Sequence, residues 1–143
     1  FFFIFGVGVF LFYLTSVTLH KFDRESPELN RESTEIFVKK YYSLVNNRQY
    51  SSAWDHLSDF FKKKTSVNEK GYSSYLKYWR TVKKVEILRT RVESSSENSA
   101  TVNIQMRYYM ISKNKTVDES LRLFLVWDTK NSRWAINNTE YSN

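Results

Sequence analysis

Cysteine is missing from this chain, which excludes disulfide bonds, zinc ribbons and thiol catalysis. Proline and glycine are scarce, with one and three residues among 143, and this argues against disorder and a loop-dominated fold. The sequence contains no glycine-rich phosphate loop, no H-R-D and no D-F-G segment, so protein-kinase catalysis is excluded for these residues. Because the chain begins with Phe1 rather than methionine, we expect a fragment or a processed product.

Aromatic residues are abundant, at 17% of the chain, and can build a dense core because each ring buries much apolar area. The net charge is +7, and all of it lies beyond Leu19. A basic surface can attract nucleic acid, anionic lipids or acidic partners. The lysines are scattered in pairs and one triplet, however, which is more typical of a solvated surface.

The first 19 residues, FFFIFGVGVFLFYLTSVTL, carry no charge. As a helix they would span roughly 28 Å, close to the thickness of a bilayer core. A cleaved signal peptide would need a shorter apolar run and a small-residue cleavage site, and no A-x-A pattern follows. The sequence therefore predicts a retained transmembrane helix over residues 1–19 and a polar juxtamembrane linker over residues 20–33.

Helical patterns follow the linker. Ser33 or Thr34 can cap a first helix that ends near Asn46 and Asn47. A second helix begins near Gln49 and carries an apolar stripe at helical spacing, formed by Tyr50, Ala53, Trp54 and Leu57. A third begins at Gly71, where the period near four of Tyr72, Tyr75, Leu76 and Trp79 gives way to a strand period of two.

Four strand candidates then follow, over residues 81–92, 100–110, 119–127 and 133–137. The second is the clearest, because apolar and polar residues alternate along all of it. The short spacings between these strands favour antiparallel hairpins.

An α+β fold is therefore predicted for residues 34–140, with about three helices packed on a curved, four-stranded antiparallel sheet to make a cone. Five aromatic residues are candidates to line its interior as a pocket or partner contact: Trp54, Tyr75, Trp79, Tyr108 and Trp127. Aromatic stripes at helical spacing more often form core, and both a filled core and an open pocket fit the pattern.

No catalytic, metal or cofactor site is predicted. Asp55, His56 and Asp59 lie within one helical turn, but a polar helix face explains them better than acid–base chemistry. The inward strand positions are apolar, and Arg107 and Arg122 fall on the opposite face, so we expect no carboxylate clearly inside the cone.

Four segments carry a family resemblance: YYSLVNNRQYSSAWDHLS (residues 41–58), GYSSYLKYWRTVKKVEI (71–87), ATVNIQMRYYM (100–110) and DESLRLFLVWDTKNSRWAI (118–136). They resemble a domain of bacterial, notably cyanobacterial, membrane proteins that typically lies C-terminal to a transmembrane helix. Its best-known carriers are serine/threonine protein kinases with a cytoplasmic catalytic domain before that helix. The element order resembles the nuclear-transport-factor-2-like superfamily, a cone fold shared by ketosteroid isomerases and many non-enzymatic modules.

The resemblance implies a single-pass membrane protein whose soluble domain is extracytoplasmic, in the periplasm or a lumen. That domain would be a non-catalytic binding or sensory module, with the kinase domain before Phe1. Its partner would be a protein or a small apolar ligand, and the sheet is a candidate homodimer surface.

Three other functions are compatible with parts of the sequence. One is a membrane-anchored assembly or scaffolding component, and another is a ketosteroid-isomerase-like enzyme. Nucleic-acid binding through residues 77–80, KYWR, is disfavoured by the predicted membrane anchor.

Overall fold

The computed structural model describes residues 31–64 and 69–143. The predicted transmembrane helix and residues 20–30 of the predicted linker lie outside these described residues. Within the described ranges, no helix is long and apolar enough to cross a membrane.

Four α-helices come first in the described part of the chain: α1 (Thr34–Asn46), α2 (Tyr50–Asp55), α3 (Asp59–Lys62) and α4 (Tyr72–Trp79). Ser33 caps α1, because its hydroxyl accepts a hydrogen bond from the Ile36 N–H at 3.3 Å. Gly71 precedes α4 with a φ of 59°. The predicted ends of the first helix and the start of the third are confirmed.

The predicted second helix is divided, because α2 ends at Asp55 instead of continuing through Leu57. The segment that follows pairs with the last strand: the Ser58 N–H donates to the Ile136 carbonyl at 2.8 Å, and the Ile136 N–H donates to the His56 carbonyl at 2.9 Å. The chain then turns into α3.

The sheet contains β1 (Val82–Ser95), β2 (Ser99–Met110), β3 (Thr116–Asp128) and β4 (Arg133–Tyr141). Its order is β1-β2-β3-β4 with every pair antiparallel, which confirms the predicted meander. Three register shifts interrupt β1, and irregularities of this kind bend and twist a strand. The last strand extends to Tyr141, beyond the predicted end at Asn137.

The helices cover one face of the sheet. The side chains of Val102, Ile104 and Met106 are fully buried there, together with Phe37 and Val38 of α1. The alternation predicted for β2 is therefore confirmed.

The opposite face of the sheet is polar. Arg107 binds Asp118 at 2.7 Å and Arg122 binds Glu93 at 2.9 Å, so both arginines point away from the core as expected.

The corner between α1 and α2 is tied to β1 by two side chains. The Asn46 amide donates to the Val85 carbonyl at 2.8 Å and accepts from the Val85 N–H at 2.7 Å. Arg48, with a φ of 62°, donates to the carbonyls of Val82 at 2.7 Å and Lys83 at 3.1 Å. These bonds fix the position of α1, from which part of the candidate site projects.

Candidate functional site

A cavity of about 450 Å³ opens between α1, α4 and one end of the sheet. Its volume lies in the range typical of small-molecule sites. Seven of its lining residues are tyrosine or tryptophan: Tyr41, Tyr42, Tyr75, Tyr78, Trp79, Tyr108 and Tyr141. Several of these rings also belong to the buried core. The interior of the cone is therefore partly filled by side chains and partly open as a cavity.

Three of the five sequence-predicted site residues meet in this cavity. Tyr75, Trp79 and Tyr108 line it, and each is buried. Trp79 lies at the centre of the group, with its ring centroid 6.2 Å from that of Tyr75 and 6.3 Å from that of Tyr108. A role for these residues in binding stays a prediction.

The other two predicted residues lie elsewhere. Trp54 is half-buried behind the cavity wall, with its ring 5.1 Å from the ring of Tyr75. Trp127 lies towards the other end of β3, where its ring is 5.4 Å from that of Trp134 and 4.3 Å from the guanidinium carbon of Arg31. Neither ring lines the cavity.

A pair of hydrogen-bonded tyrosines lies in the wall. The hydroxyl oxygens of Tyr41 and Tyr75 are 3.0 Å apart. Burial raises the pKa of both phenols, and it raises the pKa of Tyr108 as well. The three hydroxyls therefore keep their protons at neutral pH and act as neutral hydrogen-bonding groups.

Glu119 brings a carboxyl group to the cavity, so the expectation that no carboxylate lies inside the cone is wrong for this residue. Burial raises its pKa, and hydrogen bonding from the Tyr108 side chain opposes that rise. The signal was present in the sequence, because Glu119 shares the period-two face of Leu121 and Leu123. The predicted strand began at Glu119, whereas β3 begins three residues earlier at Thr116, so the prediction made Glu119 the first residue of the strand.

The cavity is acidic although the chain is basic. Glu119 and Glu140 line it, and among residues 31–64 and 69–143 no lysine or arginine does. Glu140 also approaches Arg122, with 4.0 Å between the charged atoms.

His56 is not part of a polar helix face, because its side chain is only 7% exposed. Its Nδ1 lies 2.7 Å from the Ser52 carbonyl, so this nitrogen carries the proton and donates. Burial lowers the pKa of His56. The histidine is a core group, and Asp55 beside it is exposed.

The last residues of the predicted linker contact the domain at the end where Trp127 lies. The Trp134 indole N–H donates to the Glu32 carbonyl at 2.9 Å, and Arg31 donates to the Glu97 carbonyl. Beside them an open cleft of about 540 Å³ includes Ser33, Thr34 and Glu35. This contact fixes the direction from which the chain enters α1.

The described part of the chain holds no group of three or more histidine, aspartate and glutamate side chains that could bind a metal ion. Of the two carboxyl groups that line the cavity, that of Glu119 is the more buried, so acid–base chemistry there would rest on it.

A curated protein is similar in sequence to most of this chain. The chain is 35% identical over 108 residues to the serine/threonine-protein kinase PknA of Nostoc sp.. The match covers 75% of this chain and only 19% of the kinase. No family model matches the chain.

Solved structures share the fold. A SEC-C motif containing protein from Rhodopseudomonas palustris superimposes with a TM-score of 0.57 at 11% identity, covering 78% of this chain and 80% of its own. A protein from Xanthomonas campestris, described as a calcium/calmodulin dependent protein kinase II association domain, superimposes with a TM-score of 0.52 at 17% identity, covering 74% and 81%. At these identities the likeness shows the fold alone.

Proposed function

We propose that this chain is the non-catalytic, ligand-binding sensory part of a membrane-anchored serine/threonine kinase whose catalytic domain precedes Phe1. The observation that carries the proposal is the match to PknA over a region that holds none of the kinase motifs. The cavity supports it, because a concave aromatic site with a few polar groups is the usual form of a small-molecule site.

The domain's proposed location is extracytoplasmic. The uncharged run of residues 1–19 would anchor it, and the resemblance to kinases with a cytoplasmic catalytic domain before the helix sets the orientation. The basic character of the domain is compatible with this side, because folded domains translocate largely regardless of charge.

The first helix would transmit the signal. It begins at Thr34, immediately after the predicted linker, and places Tyr41 and Tyr42 in the cavity wall. A ligand would shift the position of α1 only if it bound two states of the domain with different affinity. The tie between Asn46 and Val85 fixes the far end of the helix, so a displacement would be expressed mainly at the membrane-proximal end.

The test uses the full-length kinase that carries this chain at its C-terminus, with autophosphorylation in membranes as the readout. Removing residues 34–143 should change autophosphorylation, and Trp79→Ala in the cavity wall should change it in the same direction. Arg107→Ala on the opposite face of the sheet is the matched control. Unchanged signalling after removal of residues 34–143 would contradict the proposal.

Assembly is a second candidate function. The Xanthomonas campestris neighbour is described as an association domain, and the helices of residues 31–64 and 69–143 leave the polar outer face of the sheet uncovered. A homodimer through this face would depend on charges such as those of Arg107 and Arg122. Sedimentation of the chain and of an Arg107→Glu/Arg122→Glu variant tests it: a dimer that the double variant dissociates supports assembly, and a monomeric parent chain argues against it.

A further inference from the structure

Three features of the cavity point to one class of ligand. Its wall is rich in aromatic rings, it carries carboxylates, and within the described residues it has no basic side chain. We propose that the cavity binds an organic cation, an amine or methylated ammonium group on an apolar body, between the aromatic rings of α1 and α4 and the Glu119 carboxylate. This rests on the proposed function, in which the same cavity is the ligand site.

The aromatic part of the site is arranged around Trp79. The ring centroid of Tyr42 lies 6.2 Å away at an interplanar angle of 73°, and that of Tyr75 lies 6.2 Å away at 68°. Rings that meet at steep angles present faces in several directions, which is the arrangement that surrounds a compact cation. Ammonium groups are attracted to the faces of tryptophan and tyrosine, and quaternary ammonium ligands are bound by such cages.

Glu119 supplies the negative charge. Among the residues that the structure describes, none of the salt bridges involves Glu119. Its carboxylate lies in the cavity wall, where a bound cation would be its counter-ion. A cation would favour the charged form of a carboxyl group whose burial otherwise disfavours it.

The remaining lining residues are mostly apolar and would contact the apolar body of the ligand. Leu57, Phe61, Leu121 and Ile136 form the aliphatic and phenyl part of the wall. An anionic ligand is disfavoured, because the carboxylates of Glu119 and Glu140 would repel it and no basic side chain of the described lining would compensate. A neutral ligand would fill the cavity without using Glu119.

Three probes of nearly equal shape separate these cases: choline, its neutral isostere 3,3-dimethyl-1-butanol, and the anion 3,3-dimethylbutanoate. Each is titrated into the 143-residue chain, held in a sugar-headed nonionic detergent, and followed by intrinsic fluorescence and calorimetry. We expect choline to bind about tenfold or more tighter than the alcohol, and the anion to bind most weakly.

Glu119→Gln should remove most of the preference for choline, with little change in affinity for the alcohol. Asp118→Asn is the matched control, because Asp118 is the preceding residue and lies on the opposite face, paired with Arg107. Thermal unfolding of both variants verifies that each is folded.

Equal binding of choline and the alcohol would overturn the cation assignment, and so would a preference that survives Glu119→Gln. Absence of binding by all three probes would overturn it as well. The kinase assay with Trp79→Ala is independent of these probes, so a response there together with a failed cation test would leave the proposed sensory function standing.

Discussion

Arg48 is a residue in an unusual backbone conformation for a structural reason. Its φ of 62° lies in the left-handed region, which costs a residue with a Cβ about 1–2 kcal/mol. The conformation turns the guanidinium back toward β1, where it donates to the Val82 and Lys83 carbonyls, and also to the Tyr50 hydroxyl at 2.6 Å. These hydrogen bonds of the side chain stabilise the left-handed backbone conformation, which is unfavourable by itself.

Two substitutions of Arg48 separate the contribution of its hydrogen bonds from the cost of its backbone conformation. Arg48→Ala should lower the free energy of unfolding by about 2–4 kcal/mol, because it removes the hydrogen bonds and keeps the backbone cost. Arg48→Gly removes the same bonds but relieves the backbone, so it should be about 1 kcal/mol less harmful than Arg48→Ala. Urea unfolding measures both, with Arg89→Ala on the exposed side of β1 as the control. Equal losses for alanine and glycine would show that the backbone conformation is not strained.

His56 should make stability depend on pH. Burial lowers its pKa in the folded state below the reference value of 6.5, so the unfolded chain binds a proton more readily. The contribution of neutral His56 to the free energy of unfolding is fully present above about pH 6.5. It is lost as the pH falls through the folded-state pKa.

Unfolding free energies of the parent chain and His56→Gln, measured by urea titration from neutral to acidic pH, test this. The parent should lose more stability than the variant over this range, because the variant lacks the titrating ring. Parallel pH curves would show that His56 does not contribute. Glu119 enters both proteins equally and cancels in the comparison.

The helix ends were predictable from the sequence because their signals are local. Ser33 and the Asn46–Asn47 pair act on the residues beside them, and the structure uses them where they were expected. The end of α2 was not predictable in this way. Leu57 continues the helical stripe, but its segment pairs with Ile136, which lies 79 residues further along the chain. The register shifts of β1 likewise depend on the neighbouring strand.

The candidate site was predictable in the same way: local patterns identified some of its residues, and tertiary packing decided the others. The inward direction of Tyr75 and Trp79 was predictable from helical spacing, and that of Tyr108 from strand alternation. The structure brings these three rings together in the cavity. Trp54 belongs to the apolar stripe of α2, which has the same helical spacing. It packs behind Tyr75 because the short helix α2 contacts α4 from outside the cavity. Trp127 shares the face of Leu123 and Leu125 but is too far along β3 to reach the cavity, and strand length sets that distance.

Helix α4 depends on Gly71 at its start. The backbone there has a φ of 59° and a ψ of −133°, a region that residues with a Cβ rarely adopt. An added Cβ would meet no atom within 4 Å, so a substitution would act through the backbone alone.

Gly71→Ala should therefore lower the free energy of unfolding by about 1–3 kcal/mol without a steric clash. Ser73→Ala, at an exposed position in the same helix, should be neutral or slightly stabilising because alanine has the higher helix propensity. Thermal unfolding and the choline titration together test the pair. A Gly71→Ala protein as stable as the parent would contradict the backbone explanation.

The molecule as a whole has two ends joined by β3, one at the cavity and one where the chain enters the domain. Glu119 lies at the cavity, and Trp127 lies beside Arg31, where the chain enters the domain. They are eight positions apart along β3, a distance of about 26 Å. Any effect of binding in the cavity on the end where the chain enters the domain must therefore pass through α1 or along the sheet.

Residues 31–143 should fold without the preceding segment and unfold in a single transition, because the described core is contained within them. A chain that starts at residue 36 loses the Ser33 cap and the bond from Trp134 to Glu32, and it should be about 2–3 kcal/mol less stable. Urea unfolding of the two fragments measures the difference. Identical midpoints would show that residues 31–35 do not support the domain.

The four tryptophans give each end of the molecule its own optical signal. Trp54 and Trp79 both contact Tyr75 near the cavity, whereas Trp127 and Trp134 contact each other beside Arg31. Replacing one pair by phenylalanine would leave emission from the other pair alone. An unlabelled protein would then report separately on binding in the cavity and on movement beside Arg31, and the delay between the two signals would time the passage across the domain.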